Sequence, residues 1–214
     1  MTVRLYRPTD RNDVHHLAAD TAFFGEPVEA FLPDRQLFSD YFMAYYTDEE
    51  PEHLWVADVT GHVAGYFAGS LAGSRLDAGR NAARRVMGGL AGRRYRDVKG
   101  ATRFALRMAA ATLRGEYPSP PLEDYPAHLH INVDGAYRGL GLGRQLMEAG
   151  LAGMAAAGAP GIHLNTTSYN RAAVAMYEKM GFTLLGSRPT RLWEPWLPGV
   201  AIENLVYGML LRPG

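Results

Sequence analysis

Strands are marked along this chain by alternating apolar and polar residues, and helices by apolar residues three and four positions apart. In the first half, residues 3–8 alternate and are predicted as a strand. Residues 53–59 and 62–72 flank a tight turn, which predicts an antiparallel hairpin. Between these strands, 10–24 and 34–47 have helical spacing and are predicted as two helices.

The second half alternates strands and helices around a glycine-rich turn. The predicted elements are strand 128–133, turn 137–144, helix 145–158, strand 161–167, helix 170–180, strand 182–186, loop 188–200 and strand 202–211. Because a helix separates strands 128–133 and 161–167, we expect these two strands to run parallel. The whole order is that of a mixed α/β (α+β) protein.

A basic segment at about 74–127 interrupts this order. It is rich in Ala, Arg, Leu and Met, which predicts two or three helices, and it ends in the proline-rich run 117–126. Residues 75–114 hold 11 Lys+Arg against 2 Asp+Glu, whereas residues 1–70 hold 4 against 12. The basic charge could serve an anionic partner, including nucleic acid, or could pair with the acidic N-terminal part. We favour the pairing over a nucleic-acid role.

Composition narrows the class of protein. A length of 214 residues is typical of one domain, so we expect a single domain over 1–214. The absence of cysteine excludes a disulfide framework, a thiolate metal site and a cysteine nucleophile. There is no apolar run of 18 residues and no basic-then-apolar leader, so we expect a cytoplasmic protein without a membrane partner.

The glycine-rich turn is the first candidate for chemistry. Gly139, Gly141 and Gly143 alternate between Arg138 and Arg144, after a strand and before a helix. Glycine lets the backbone approach a ligand closely, and the N–H groups at the start of the helix favour an anion of pyrophosphate size.

Two better-known phosphate motifs do not fit this turn. A P-loop requires Gly-Lys-Ser/Thr, but Gly143 is followed by Arg144 and Gln145. A dinucleotide fingerprint requires a third glycine at its sixth position, where this chain has Arg144 or Leu146, and an acidic residue after the next strand, where it has Asn165-Thr166-Thr167.

Two motifs in order resemble those of the GNAT superfamily of acetyl-CoA-dependent N-acetyltransferases. Arg138-Gly-Leu-Gly141-Leu-Gly143 matches the Q/R-x-x-G-x-G/A signature. The run Asn170-x-x-Ala173-x-x-x-Tyr177-x-x-x-Gly181-Phe182 is similar to the second half of the superfamily motif. More narrowly, residues 125–132 and the long insert resemble the acetyltransferase-like domain of O-GlcNAcase and its stand-alone bacterial relatives.

The resemblance implies a fold and a set of cofactor contacts. The fold would be a central, largely antiparallel sheet of about seven strands that splays at the cofactor site, with helices on both faces. The cosubstrate would be acetyl-CoA, without a metal. The residues that would contact it are Asn132, Val133, Arg138, Gly139, Leu140, Gly141, Leu142, Gly143, Arg144, Asn170 and Tyr177.

For catalysis, the resemblance suggests Tyr177 as the acid that protonates the leaving thiolate. His130 is the first candidate for the base that deprotonates the amine, ahead of His128, His163 and Asp134. Each histidine could instead be bonded within the sheet. A metal site formed by the three histidines is disfavoured, because no acidic or cysteine ligand stands beside them.

The acceptor would lie against aromatic side chains. By resemblance the candidates from the first two helices and the segment between them are Phe23, Phe24, Phe31, Tyr41 and Tyr45, although most of these could instead be ordinary core residues. Trp193 and Trp196, in the loop at 188–200, could cap the acceptor cleft or only pack that loop. The leading hypothesis is transfer of an acetyl group from acetyl-CoA to a primary amine of a small molecule or protein, by direct attack in a ternary complex. The alternative is a non-catalytic acyl-CoA-binding module, and a homodimer is possible in either case.

Overall fold

A computed structural model describes residues 1–71 and 74–211, and it describes side chains outside 74–80. In this part of the chain, seven strands form one sheet. They are β1 (Thr2–Leu5), β2 (Leu54–Val59), β3 (His62–Ser70), β4 (Ala127–Val133), β5 (Gly161–Thr167), β6 (Thr183–Thr190) and β7 (Ile202–Leu210). Their order is β1-β2-β3-β4-β5-β7-β6, and every pair is antiparallel except β4–β5. The predicted α/β fold, with a largely antiparallel sheet of about seven strands, is confirmed.

The helices are α1 (Arg11–Asp20), α2 (Arg35–Phe38), α3 (Ala44–Asp48), α4 (Ser74–Ala91), α5 (Val98–Leu113), α6 (Leu142–Ala156) and α7 (Arg171–Lys179). A π-helical turn, Ser39–Met43, joins α2 to α3, so the helix predicted at 34–47 is one irregular helical segment. No helix in the described residues is long and apolar enough to cross a membrane.

Several predicted boundaries were wrong, including that of the first helix, which ends at Asp20 instead of 24. The first strand ends at Leu5, because Pro8 opens a short 3-10 turn. Helix α6 begins at Leu142 instead of 145, inside the glycine-rich turn. Strand β6 continues from Thr183 to Thr190 instead of ending at 186, because a bulge near Gly186 lets pairing with β7 resume.

The sheet has a separate apolar core on each face. Helices α1–α3 and α5 pack on one face, where Val56 and Tyr66 are buried. Helices α6 and α7 cover the other face, where Phe67 and Leu164 are buried. Because side chains alternate between faces along a strand, neighbours such as Tyr66 and Phe67 belong to different cores.

Acidic residues of the N-terminal part anchor the start of the basic insert. Arg85 forms ion pairs with Glu49 and, at 3.7 Å, with Asp48. Tyr95 Oη donates to Asp40 at 2.8 Å. The pairing that the charge distribution suggested is therefore confirmed at this end of the insert.

The far end of the insert is fixed to β6 and β7. The buried Glu116 carboxylate accepts hydrogen bonds from Thr190 Oγ1 at 2.7 Å and from the N–H of Arg191 at 3.0 Å. Asn204 Nδ2 donates to the Glu116 carbonyl at 2.9 Å. The insert therefore runs across the face that also carries α1–α3, and α5 becomes a wall of that face.

Two helical glycines give a matched test of this packing. A Cβ at Gly150 of α6 would lie 2.4 Å from the buried Phe67 ring, whereas nothing lies within 4 Å of a Cβ at Gly88 of α4. We expect Gly150→Ala to lower the free energy of unfolding by about 1–3 kcal/mol through overpacking. We expect Gly88→Ala to raise it by about 0.5–1 kcal/mol, because alanine favours the helix. Denaturant unfolding measures both, and equal effects would contradict the packing.

Candidate functional site

Strands β4 and β5 separate almost as soon as they pair. Their parallel ladder holds only Ala127–Ile162 and His128–His163. Beyond this point β4 stays paired with β3 up to Val133, and β5 stays paired with β7 up to Thr167. Two facing strand edges therefore diverge with their backbone groups open, and such groups need partners from a ligand or water. The parallel pairing and the splay are both confirmed.

The glycine-rich turn lies at the end of β4. Gly139 and Gly141 have φ values of 79° and 77°, in the left-handed region that glycine adopts without strain. Gly141 is the N-cap of α6 and no side chain caps this end. Within the described part of the chain, the N–H groups of Gly139, Leu140 and Gly141 donate to no backbone or side-chain acceptor. The first turn of α6 adds further open N–H groups and a partial positive charge, which suits a bound anion.

The remaining residues of the turn have structural partners. Arg138 donates from Nε to the Val133 carbonyl and from Nη2 to the Gly25 carbonyl, each at 3.2 Å. Arg144 pairs with Glu148 one helical turn later, at 2.7 Å. Gly143 leaves room for Met176 of α7, whose sulfur would lie 3.2 Å from a Cβ there. The open donors of the turn are therefore backbone N–H groups, and Arg138 ties the turn to the segment that follows α1.

On β4, alternate side chains meet different surroundings. Leu129 belongs to the core beneath α6 and α7, as the alternation predicts. On the opposite face, Asn132 Nδ2 donates to Tyr66 Oη at 2.7 Å, and His128 Nδ1 lies 3.4 Å from Tyr46 Oη. Burial raises the pKa of Tyr66, so its hydroxyl stays protonated and Asn132 is held in place.

The three histidines differ in accessibility. His163 is fully buried, and its Nδ1 lies 2.7 Å from the Tyr125 carbonyl, so that nitrogen carries the proton and donates. His128 is also buried, with its ring centroid 5.0 Å from that of His163. His130 is exposed, next to the rings of His128 at 4.6 Å and Tyr46 at 5.3 Å. In the described chain, no three His, Cys, Asp or Glu side chains are placed to hold a metal ion.

Tyr177 lies on α7 and is 6% exposed. Its ring packs against Phe182 at 5.9 Å and Tyr207 at 6.2 Å, and burial raises the pKa of its hydroxyl. The hydroxyl is thus protonated at every physiological pH. Asn170 occupies the N-cap position of α7, and its side chain makes no capping hydrogen bond.

The acetyltransferase (GNAT) family model matches residues 15–182. The chain belongs to this family. Residues matched to the mycothiol acetyltransferase of Nocardiopsis dassonvillei are 44% identical over 54 positions, or 25% of this chain and 16% of that protein. The mycothiol acetyltransferase of Corynebacterium glutamicum strain R is 46% identical over 57 positions. These positions make up 27% of this chain and 20% of that protein. The chain thus spans a fifth or less of the length of these relatives.

Solved structures match this GNAT chain over nearly its whole length. SsHAT is 25% identical, with a TM-score of 0.65 over 99% of this chain and 98% of its own. The Salmonella typhimurium protein yncA, described with its cofactor acetyl-CoA, is 14% identical, with a TM-score of 0.59. The match covers 100% of this chain and 95% of yncA. These comparisons do not confirm the narrower resemblance to the acetyltransferase-like domain of O-GlcNAcase.

Aromatic side chains form a wall on the α1–α3 face of the GNAT fold. Phe24, which has a positive φ of 54°, packs its ring 4.9 Å from both Tyr169 and Trp193. The other members of the wall are Phe23, Phe31, Phe104 and Trp196. Five of the seven aromatic residues expected at the acceptor therefore come together.

Two of the expected aromatic residues lie apart from this wall. Tyr41 packs on Phe42, and Tyr45 packs on Tyr46 within the core. Sequence reasoning missed Tyr169 and Phe104. Tyr169 lies two residues after the end of β5 and could have been found from its place between the two GNAT motifs. Nothing in the sequence pattern of α5 identifies Phe104 as a residue of the aromatic wall.

Proposed function

We propose that this GNAT chain transfers an acetyl group from acetyl-CoA to a primary amine by direct attack in a ternary complex. The observation that supports this most strongly is the open wedge between β4 and β5, which ends at the glycine-rich turn. The wedge offers backbone hydrogen bonds to an extended polar chain, and the turn offers N–H groups to a diphosphate. Coenzyme A combines both chemical features in one molecule.

Individual residues fit that ligand. The N–H groups of residues 139–144 would hold the diphosphate, and the backbone of Asn132 and Val133 would hold the pantetheine arm. Asn170, at the start of α7, would contact the same arm through its side chain, which makes no capping hydrogen bond. When bound, acetyl-CoA supplies an acyl group activated as a thioester. A backbone N–H at the end of β4 would stabilise the developing oxyanion.

The base in this proposal is His130. An alkyl amine has a pKa of about 10 and must lose a proton before it can attack. His130 is the exposed member of the three histidines, whereas His163 is fully buried and donates to a backbone carbonyl. Its neighbours Tyr46 and His128 restrict the orientation of the ring. His130 is therefore better placed than the other two to accept a proton from an acceptor.

The acid in this proposal is Tyr177. Its buried hydroxyl keeps its proton at neutral pH because burial raises its pKa. A phenol that is protonated at neutral pH can donate to a leaving thiolate, which needs a proton once per turnover. The ring packs between Phe182 and Tyr207, which restricts its movement.

The anion site can be tested with two glycines at opposite ends of α6. Gly141 and Gly158 both have positive φ, so Glu is strained equally at either position. We expect Gly141→Glu to weaken acetyl-CoA binding by roughly a hundredfold or more, because a carboxylate would occupy the anion site. Gly158→Glu should leave the affinity unchanged. Isothermal titration calorimetry measures both, and unchanged affinity in Gly141→Glu would refute the assignment of the turn.

Release of free thiol from acetyl-CoA across a panel of small and peptidyl amines tests the activity itself. We expect release that depends on at least one amine, with the acetylated product detected by mass spectrometry. Binding of acetyl-CoA without amine-dependent release would assign the chain to the non-catalytic acyl-CoA-binding modules.

Acid and base can be separated by their pH profiles. We expect Tyr177→Phe to lower kcat by roughly 100- to 10,000-fold without changing the affinity for acetyl-CoA. We expect His130→Gln to remove the acidic limb of the kcat/KM profile, because that limb reports protonation of the base.

Each control makes the same substitution, Tyr to Phe or His to Gln, at a residue outside the proposed acid and base. Tyr207→Phe removes a neighbouring buried hydroxyl that donates to Glu178 at 2.9 Å, and it should retain kcat. His16→Gln changes an exposed histidine of α1 and should retain the profile. Full activity in Tyr177→Phe, or an unchanged acidic limb in His130→Gln, would remove that residue from its role.

A further inference from the structure

A groove of about 350 Å³ lies between α5 and the segment that follows β6. Four arginines line it: Arg103, Arg107 and Arg114 from α5, and Arg191 from the other side. Residues 103 and 107 are one helical turn apart, which puts their side chains on one face of α5. Four guanidinium groups are thereby gathered around a cavity large enough for a small organic molecule.

The charge of this groove is poorly balanced by the protein. Arg114 pairs with Glu116 at 2.5 Å, but that carboxylate also accepts from Thr190 and from the N–H of Arg191. Arg103, Arg107 and Arg191 form no ion pair with any described side chain, whereas Arg85 at the other end of the insert is paired. An excess of guanidinium groups around a cavity suits a phosphate or a carboxylate.

The surface between the arginines is apolar. Leu106, 66% exposed, and the buried Leu192 line the same groove. The Arg107 guanidinium lies 5.8 Å above the Trp196 ring, which positions that charge at the edge of the aromatic wall. The lining therefore suits a ligand with an apolar body and an anionic end.

The groove adjoins the surface expected to hold the acceptor. Leu192 is followed by Trp193, and Trp193 packs on Phe24 of the aromatic wall. Phe24 precedes Gly25, whose carbonyl accepts a hydrogen bond from Arg138 of the glycine-rich turn. One continuous set of contacts thus links the arginine groove to the turn at the end of β4.

We propose that the groove binds a phosphate or carboxylate group of the acceptor, so that the acceptors are amines with an apolar body and a distal anion. This inference rests on the proposed acetyl transfer. The distal anion would hold the far end of the acceptor while its amine reaches the end of the β4–β5 wedge. The basic charge of α5 then determines substrate choice, in contrast to the structural pairing of Arg85.

A series of ω-aminoalkyl phosphates of increasing length, each compared with the alkylamine that lacks the phosphate, tests the proposal. At one chain length we expect the phosphate to lower KM roughly tenfold or more, as for a charge-assisted contact. Arg103→Glu should abolish that advantage. Arg84→Glu, the same charge change at an exposed site on α4, should retain it. Thermal unfolding of both variants shows whether each remains folded.

Calorimetry with hexyl phosphate separates the sources of the anion. Binding that competes with the aminoalkyl phosphate and is lost in Arg103→Glu supports the proposal. Binding of hexyl phosphate without competition would mean that the groove takes a separate anionic ligand, and this would overturn the proposal. The proposal would also be overturned if hexyl phosphate does not bind and the phosphate does not lower KM at any chain length. If no amine releases thiol but hexyl phosphate still binds in an Arg103-dependent manner, the proposed acetyl transfer fails while the groove remains an anion site.

Discussion

The loss of hydrogen bonding between β4 and β5 is the constraint on which the rest of the site depends. Only two residue pairs join these parallel strands, yet each strand keeps its ladder with its other neighbour. The sheet therefore stays intact while two edges of open backbone diverge within it. The glycine-rich turn follows one of these edges along the chain, so the open strand edge and the open N–H groups of the turn belong to a single stretch of chain.

In the proposed function, the insert supplies part of the acceptor face. Its first helix is anchored through Arg85 to Asp48 and Glu49 at the end of α3, and its end is fixed through Glu116 to β6 and β7. Between these anchors, α5 presents Phe104 to the aromatic wall and its arginines to the groove. The basic residues of the insert therefore form ion pairs with the N-terminal part at one end and line the arginine groove at the other.

The sequence predicted the order of strands and helices because alternation and helical spacing are local properties. It predicted the parallel pairing of β4 and β5, since a helix must separate them. The splay itself came from resemblance to a family, because no local pattern encodes where a ladder stops. Contacts such as Arg138 with Gly25 join residues 113 positions apart and depend on packing of the whole chain. In the sequence, the arginine groove showed only as an excess of basic residues in the insert. Its shape could not be predicted, because α5 and the segment after β6 form it together.

A crystal structure with acetyl-CoA bound tests the central claim most directly. The account predicts the diphosphate on the N–H groups of residues 139–144 and the pantetheine arm between β4 and β5, with the thioester toward the aromatic wall. Coenzyme bound elsewhere, or a wedge closed by continued β4–β5 pairing, would contradict it.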